Sequence, residues 1–162
     1  MENLEIRPCI NEDYKFVFEL LKQLWLEMEL DNEALYISYK KALDSDNQFL
    51  IVGIVDKIII GFCSLTIKNN LWQAGNIGHI DELIVETSIR NKGIGEKLMS
   101  EITKIAKENN CKRIELDSAF HRKAAHQFYE NLGYENRAYL FSKKIETTPP
   151  KEKTAFGSKT FC

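Results

Sequence analysis

The chain is poor in nearly every residue class that would mark a special architecture. Its 162 residues hold three prolines and eight glycines, too few for a collagen-like or proline-rich chain. The four cysteines, at positions 9, 63, 111 and 162, form no C-x-x-C pair and stand at no zinc-like spacing from the three histidines. No metal is expected. Cys9 and Cys63 lie in apolar runs, where a thiol acts as a small hydrophobe. No apolar run, including that around Ile58–Ile60, approaches the roughly 18 residues that span a bilayer, so no membrane association is expected. Met1-Glu-Asn-Leu-Glu lacks the basic start and apolar stretch of a secretory signal. Together these features point to the reducing cytoplasm. Charge of one sign is also missing: 22 basic against 24 acidic residues leave −2. A nucleic-acid partner would call for a basic excess or stripe, so none is expected. Lys112-Arg113 with Arg122-Lys123 reads as solvated surface. What remains is ordinary, 44% hydrophobic and 28% charged, in a chain long enough to bury a core without staples.

Apolar periodicity divides the chain into a series of elements. Leu4–Cys9 reads as a short strand. Asn11-Glu-Asp starts a helix carrying Phe16, Leu20, Leu21, Leu24, Trp25 and Met28 at helical spacing. Asn32–Leu43 is a second helix. Phe49–Val55 and Ile58–Ile67 form a hairpin about Asp56-Lys57. Gly75–Val85 is a further strand, and Gly93–Asn109 an amphipathic helix with Ile94, Leu98, Ile102, Ile105 and Ala106 on one face. Arg113–Leu116 is a short strand. Ala124–Asn131 is a helix closed at Gly133, and Ala138–Ile145 is a last strand. Strand–helix–strand units near the end argue for an α/β domain with some parallel pairing, and the early hairpins for antiparallel pairing. The domain is expected to span residues 1–146. A polar tail of 147–162 opens on Thr147-Thr-Pro-Pro, and its Phe156 and Phe161 are expected to dock.

One stretch carries chemistry. The strand ending at Val85 is followed by Arg90-Asn91-Lys92-Gly93-Ile94-Gly95 and then by the amphipathic helix. A helix N-terminus offers unpaired N–H groups and the positive end of the dipole. Two glycines let a ligand approach the backbone, and Arg90 and Lys92 add charge, which together suit a pyrophosphate. The pattern is neither a dinucleotide G-x-G-x-x-G, since Leu98 takes the third place, nor a P-loop. About thirty residues on comes Ala125-His-Gln-Phe-Tyr-Glu-Asn-Leu-Gly-Tyr.

R-x-x-G-x-G after a strand ending in Val, then A-x-x-F-Y-x-x-x-G-Y, resembles the GNAT superfamily of acetyl-CoA-dependent N-acetyltransferases. The resemblance runs over about residues 4–145. It implies a mixed, mostly antiparallel sheet of about six strands, with a parallel, splayed pair at the fourth and fifth strands and about four flanking helices. It also implies direct transfer of acetyl from acetyl-CoA to a primary amine. By resemblance, the backbone of Arg90, Asn91, Lys92, Gly93, Ile94 and Gly95 holds the CoA pyrophosphate. Leu83, Ile84 and Val85 bond the pantetheine arm through main chain, and Tyr129 protonates the leaving thiolate. Homodimers are frequent among such proteins.

The general base stays open among three residues, taken in the order His79, Asp81, Glu82. Regular alternation places His79, Asp81, Leu83 and Val85 on one face and Ile80, Glu82 and Ile84 on the other. Glu82 therefore points away unless the strand bulges. Arg122 stands where many members carry a CoA-contacting Asn. Its segment, with His126, resembles the branch containing aminoalkylphosphonate N-acetyltransferases, whose base at the position of His79 is acidic. Arg122 and His126 are carried as cofactor contacts. With Arg137 they also suit a phosphonate or phosphate. The acidic stretch Glu27, Glu29, Asp31 and Glu33 suits a cationic amine, a polyamine or an aminoglycoside instead. Trp72 and Tyr36 are candidate pocket walls. Two other readings remain open at this level: a non-catalytic acyl-CoA-binding module and a protein N-acetyltransferase.

Overall fold

The computed structural model describes residues 3–145. One five-stranded sheet runs in chain order: β1 (Glu5–Pro8), β2 (Gln48–Val55), β3 (Ile58–Asn70), β4 (Gly75–Val85) and β5 (Cys111–Leu116). Neighbours are antiparallel up to β4, and β4 and β5 are parallel. Four helices cover it: α1 (Tyr14–Leu24), α2 (Asn32–Leu43), α3 (Ile94–Glu108) and α4 (Lys123–Asn131). At the β2–β3 hairpin Asp56 and Lys57 both take positive φ, 48° and 67°. That is the primed turn whose twist suits a two-residue loop.

Each face of the sheet has its own core. On one, the α3 side chains Ile94, Leu98, Ile102 and Ala106 pack on Cys63, Leu65, Ile67 and Ile80, with Phe128, Tyr129 and Tyr134 at the margin. On the other, Val17, Leu20 and Leu21 of α1 and Tyr39 of α2 pack on Val52, Phe62 and Ile84. Helix α1 is shorter than its apolar spacing predicts. It stops at Leu24 because Trp25 leaves helical dihedrals, and Met28, with Phe16, is exposed rather than on the core face. Asp31 caps α2 by accepting from the Ala34 amide at 3.0 Å.

The expected sixth strand is not there. Residues 138–145 form no strand, and Tyr139, Leu140, Phe141 and Ile145 are 68–91% exposed. A ladder partner is what a strand needs, and among the described residues this segment has none. The tail from 147, with Phe156, Phe161 and Cys162, lies outside the described residues.

The entrance to α1 rests on one ion pair. Arg7 holds the buried Asp13 with two bonds, 2.6 and 2.9 Å, and Asp13 also accepts the Ile10 amide at 2.9 Å. The Arg7 bonds hold the Asp13 carboxyl below the usual carboxylate range, against the effect of burial. Asp13→Ala is expected to lower unfolding stability by about 2 kcal/mol in denaturant melts at neutral pH, since it removes a charge-assisted bond and strands a donor. A loss under about 0.5 kcal/mol, the scale of a surface substitution, would contradict this.

Candidate active site

The site begins with an irregularity in β4. Across β3–β4, Ser64 faces Glu82 and Leu65 faces Ile80, which leaves Asp81 without a partner. This is a β-bulge. It turns the strand, so Ile84 points to the α1 core while Ile80 lies in the α3 core. The parallel ladder with β5 stops at Ile80–Leu116, whereas β4 runs on to Val85. Beyond the bulge the two strands splay.

The splay leaves backbone unpaired. The Glu82 amide points to β3, where it donates to Ser64 Oγ at 3.1 Å, and the Glu86 amide donates to Ile60 O at 2.8 Å. Main-chain groups alternate along a strand, so Leu83 and Val85 present theirs toward the gap. Arg90 Nε meets Val85 O there at 3.0 Å.

Helix α3 starts at the end of this gap. Gly93, its N-cap, has φ +77°, and a Cβ built on it would touch nothing within 4 Å. The turn is therefore open on its outer side, and no side chain caps the first amides. An anion fits there. Gly95 has a different reason from the one expected: its missing Cβ makes room for the Phe128 ring, which would lie 3.2 Å away. This packing sets α4 against the start of α3. The approach to the turn is tied to α1 by Gln23, which bonds Glu86 at 2.8 Å and the Thr87 amide at 3.1 Å.

Titratable groups collect at the bulge. His79 Nδ1 lies 3.0 Å from Asp81 Oδ1, and Nε2 lies 3.3 Å from Asp117 Oδ1. The bond to Asp81 raises the pKa of His79 although burial opposes it. Burial works against the Asp81 carboxylate, but His79 and Thr66 (2.6 Å) hold it below the usual carboxylate range. Glu82 is bonded by Ser64 Oγ. Its burial lifts the carboxyl above its ordinary value, and nearby Asp81 adds to this. The bulge thus corrects the regular alternation: Glu82 shares a face with His79 and Asp81, next to Ser64 and Thr66. Tyr129 packs edge-on against Phe128 at 5.4 Å and beside Tyr134 at 6.0 Å. Burial pushes its phenol up to about 12, with Arg122 pulling the other way.

Several predicted contacts serve the scaffold. Arg122 donates to Leu24 O at 2.6 Å, joining the end of α1 to the start of α4. His126 Nε2 lies 3.1 Å from Ala119 O. Tyr36 stacks on Tyr14 at 4.9 Å and bonds Asn11, so it walls an aromatic cluster instead of the gap. Trp72 is exposed beneath the Arg137 guanidinium, 4.8 Å from its ring centre. Among the described residues no group of three or more His, Cys, Asp or Glu side chains suits a metal. Sequence reasoning missed Asp117, Ser64 and Gln23. Only Asp117 carries a signal, being the first residue past a parallel strand, where ligands gather in α/β sheets.

The parallel, splayed pair at β4 and β5, ending at an open helix N-terminus, is the arrangement that the resemblance implied. The model of the acetyltransferase (GNAT) family matches residues 14–134, and the chain belongs to that family. It is an N-acetyltransferase that uses acetyl-CoA. The aminoalkylphosphonate N-acetyltransferase of Salmonella typhimurium is 29% identical over 141 residues, covering 87% of this chain and 91% of that protein. The glucosamine 6-phosphate N-acetyltransferase of Trypanosoma brucei brucei is 28% identical over 141 residues, 82% of this chain and 89% of that one. An aminoglycoside N-acetyltransferase, AAC(6')-Iy, solved with CoA, shares the fold at TM-score 0.78 and 18% identity, covering 88% and 96% of the two chains.

Two outcomes follow. Acetyl-CoA at 100 times its Kd should stabilise the protein by about 2.7 kcal/mol, a rise in Tm of roughly 5–10 °C. Gly95→Val should cut that shift by displacing Phe128, and an unchanged shift would contradict the packing account. The second concerns pH. His79 has a folded pKa above its unfolded value near 6.5, so it stabilises fully below that pH and loses the contribution as pH rises through the folded value. Asp81, with its pKa depressed, stabilises above about 3.9 and loses this as pH falls. His79→Gln should therefore lower Tm more at pH 5.5 than at pH 8.5; equal losses at both would refute the charged pairing.

Proposed function

We propose that this enzyme acetylates the primary amine of a small molecule that also carries a phosphonate or phosphate. The observation that supports the chemistry most is the placement of Glu82: a half-buried carboxyl with a raised pKa, brought by the bulge to the face that holds His79 and Asp81. A base works best with a pKa near the operating pH. Glu82 moves toward that range by burial. His79 has both ring nitrogens engaged by carboxylates, which favours its charged form. We therefore take Glu82 as the residue that accepts the proton of the incoming ammonium. Asp81 and Asp117, fixed through His79, attract that ammonium to the mouth of the gap.

The gap's own groups do the rest. Leu83 and Val85 would hold the pantetheine arm through main chain. The amides of Gly93, Ile94 and Gly95 would hold the pyrophosphate, with Asn91 and Lys92 shaping and charging the turn. Bound there, acetyl-CoA supplies an activated acetyl thioester. Tyr129 donates its phenolic proton to the departing sulfur. The burial that raises the phenol's pKa also raises that of a thiol beside it, so the two stay matched.

The phosphoryl part of the acceptor is supported by chemistry shared among relatives. The Salmonella protein is named for aminoalkylphosphonates, and the Trypanosoma, Dictyostelium and Arabidopsis ones for glucosamine 6-phosphate, each an amine with a phosphoryl oxyanion. Arg122 keeps donors beyond the one on Leu24, and Arg137 lies exposed over Trp72. Free thiols at Cys9, Cys63 and Cys111 suit a reducing cytoplasm.

Incubation with acetyl-CoA and a panel of aminoalkylphosphonates, glucosamine 6-phosphate, spermidine, kanamycin and short peptides, read by mass spectrometry, should give acetylated product from a phosphoryl-bearing amine. Product from spermidine, kanamycin or peptides alone would overturn the acceptor class. With the active acceptor, Glu82→Gln and Tyr129→Phe should each lower kcat about 100-fold while keeping the acetyl-CoA melting shift. Rates within twofold of the parent would remove the residue from its role.

A further inference from the structure

Two hydroxyls of β3 stand opposite the two carboxylates of the bulge. Alternation along β3 is regular: Cys63, Leu65 and Ile67 enter the α3 core, while Phe62 enters the α1 core. Ser64 and Thr66 share the face of Phe62. Thr66 Oγ1 donates to Asp81 Oδ2 at 2.6 Å and accepts from Gln48 Nε2 of β2 at 3.3 Å. Ser64 Oγ donates to Glu82 Oε2. Each carboxylate therefore has a hydroxyl of its own.

Ser64 does a second thing that Thr66 does not. Its Oγ also accepts from the Glu82 amide at 3.1 Å, and the side chain is buried. One hydroxyl thus holds Glu82 by main chain and carboxyl together. A hydroxyl has a single proton to give, and this one is spent on Oε2. A proton arriving at the carboxyl therefore goes to Oε1. Among the described residues no side chain bonds Oε1, and no buried side-chain oxygen is left without a partner, so Oε1 is open to solvent.

We propose that Ser64 is a positioning residue for the base: its hydroxyl clips Glu82 to the bulge with Oε2 engaged and leaves Oε1 for the proton of the incoming ammonium. This rests on the reading of Glu82 as the base. The same bond bears on when Glu82 is ionised. Burial and Asp81 lift the carboxyl, while Ser64 and His79 pull it down. Lys68 of β3 and Asp117 past β5 act on the neighbouring His79, and Lys68 on Asp81 as well. Cys63, on the other face of β3, has its thiol pushed up, with Glu82 among the causes. Helix α1 brings the apolar Leu20 and Leu21 to this face. Without the Ser64 hydroxyl, burial is less opposed, and Glu82 ionises at higher pH.

The pH profile of turnover tests this, with saturating acetyl-CoA and the panel amine acetylated fastest. In Ser64→Ala, kcat should fall about tenfold and the acid limb of kcat/KM should move up by about one pH unit. Its circular dichroism and acetyl-CoA melting shift should match the parent's. Ser64→Thr keeps the hydroxyl and should bring the limb back. Added to Glu82→Gln, Ser64→Ala should cost less than a further twofold, because the group it acts through is already gone. An unmoved limb, a full tenfold loss on top of Glu82→Gln, or a lost acetyl-CoA shift would overturn the role and leave Ser64 a packing residue. A Glu82→Gln enzyme within twofold of the parent would instead remove Glu82 as the base, and the role of the clip with it.

Discussion

Asp81 has no ladder partner across β3, and much of the site depends on that one extra residue. In a regular ladder β4 would stay beside β5 to its end, and its main chain would be spent on hydrogen bonds. The extra residue bends the strand away after Ile80–Leu116 and leaves the main chain of Leu83 and the amide of Val85 without a strand partner, while Val85 O takes Arg90 Nε. It also reverses the side-chain alternation. Ile84 closes the α1 core while Glu82 joins Asp81 and His79. One local defect thus makes the slot for a ligand and gathers the charges beside it.

Those charges are held apart in protonation. His79 is favoured in its charged form and Asp81 in its ionised form, each by the other, while burial lifts Glu82 and Tyr129. Acid–base chemistry needs such a separation among neighbouring groups. In the proposed mechanism the carboxylates beside His79 would attract a cation, Glu82 would take its proton, and the Tyr129 phenol would stay protonated until it donates. The scaffold that fixes them is made by long-range contacts: Arg122 on Leu24, Gln23 on Glu86 and Thr87, and Phe128 in the space left by Gly95.

How much of this the sequence discloses differs by element. Gly75–Val85 and Asn32–Leu43 match their strand and helix to the residue, the helix because Asp44-Ser-Asp-Asn breaks it, although Tyr39 is its one buried side chain. Gly93 with Ile94, Leu98 and Ile102 announces α3 and its open N-terminus. The bulge is hidden, because it is a matter of register between Ser64 and Glu82 and no local pattern encodes it. Gly95 reads as a ligand approach until Phe128, far along the chain, is seen against it. Arg122 reads as a ligand contact, and its second task, a bond to a carbonyl 98 residues away, shows no local signal. The last strand fails for a related reason: residues 138–145 have the composition for a sheet, but a strand exists only with a neighbour.

The account turns on main-chain groups that the bulge leaves free for acetyl-CoA. Residue-resolved amide hydrogen exchange measures them directly. The amides of Leu83 and Val85 should exchange fast in the free enzyme, while those of Glu82 and Glu86, bonded toward β3, are protected. Acetyl-CoA should slow Leu83 and Val85 selectively. Protection already present without the ligand, or no change when it binds, would mean that β4 is not the edge that holds it.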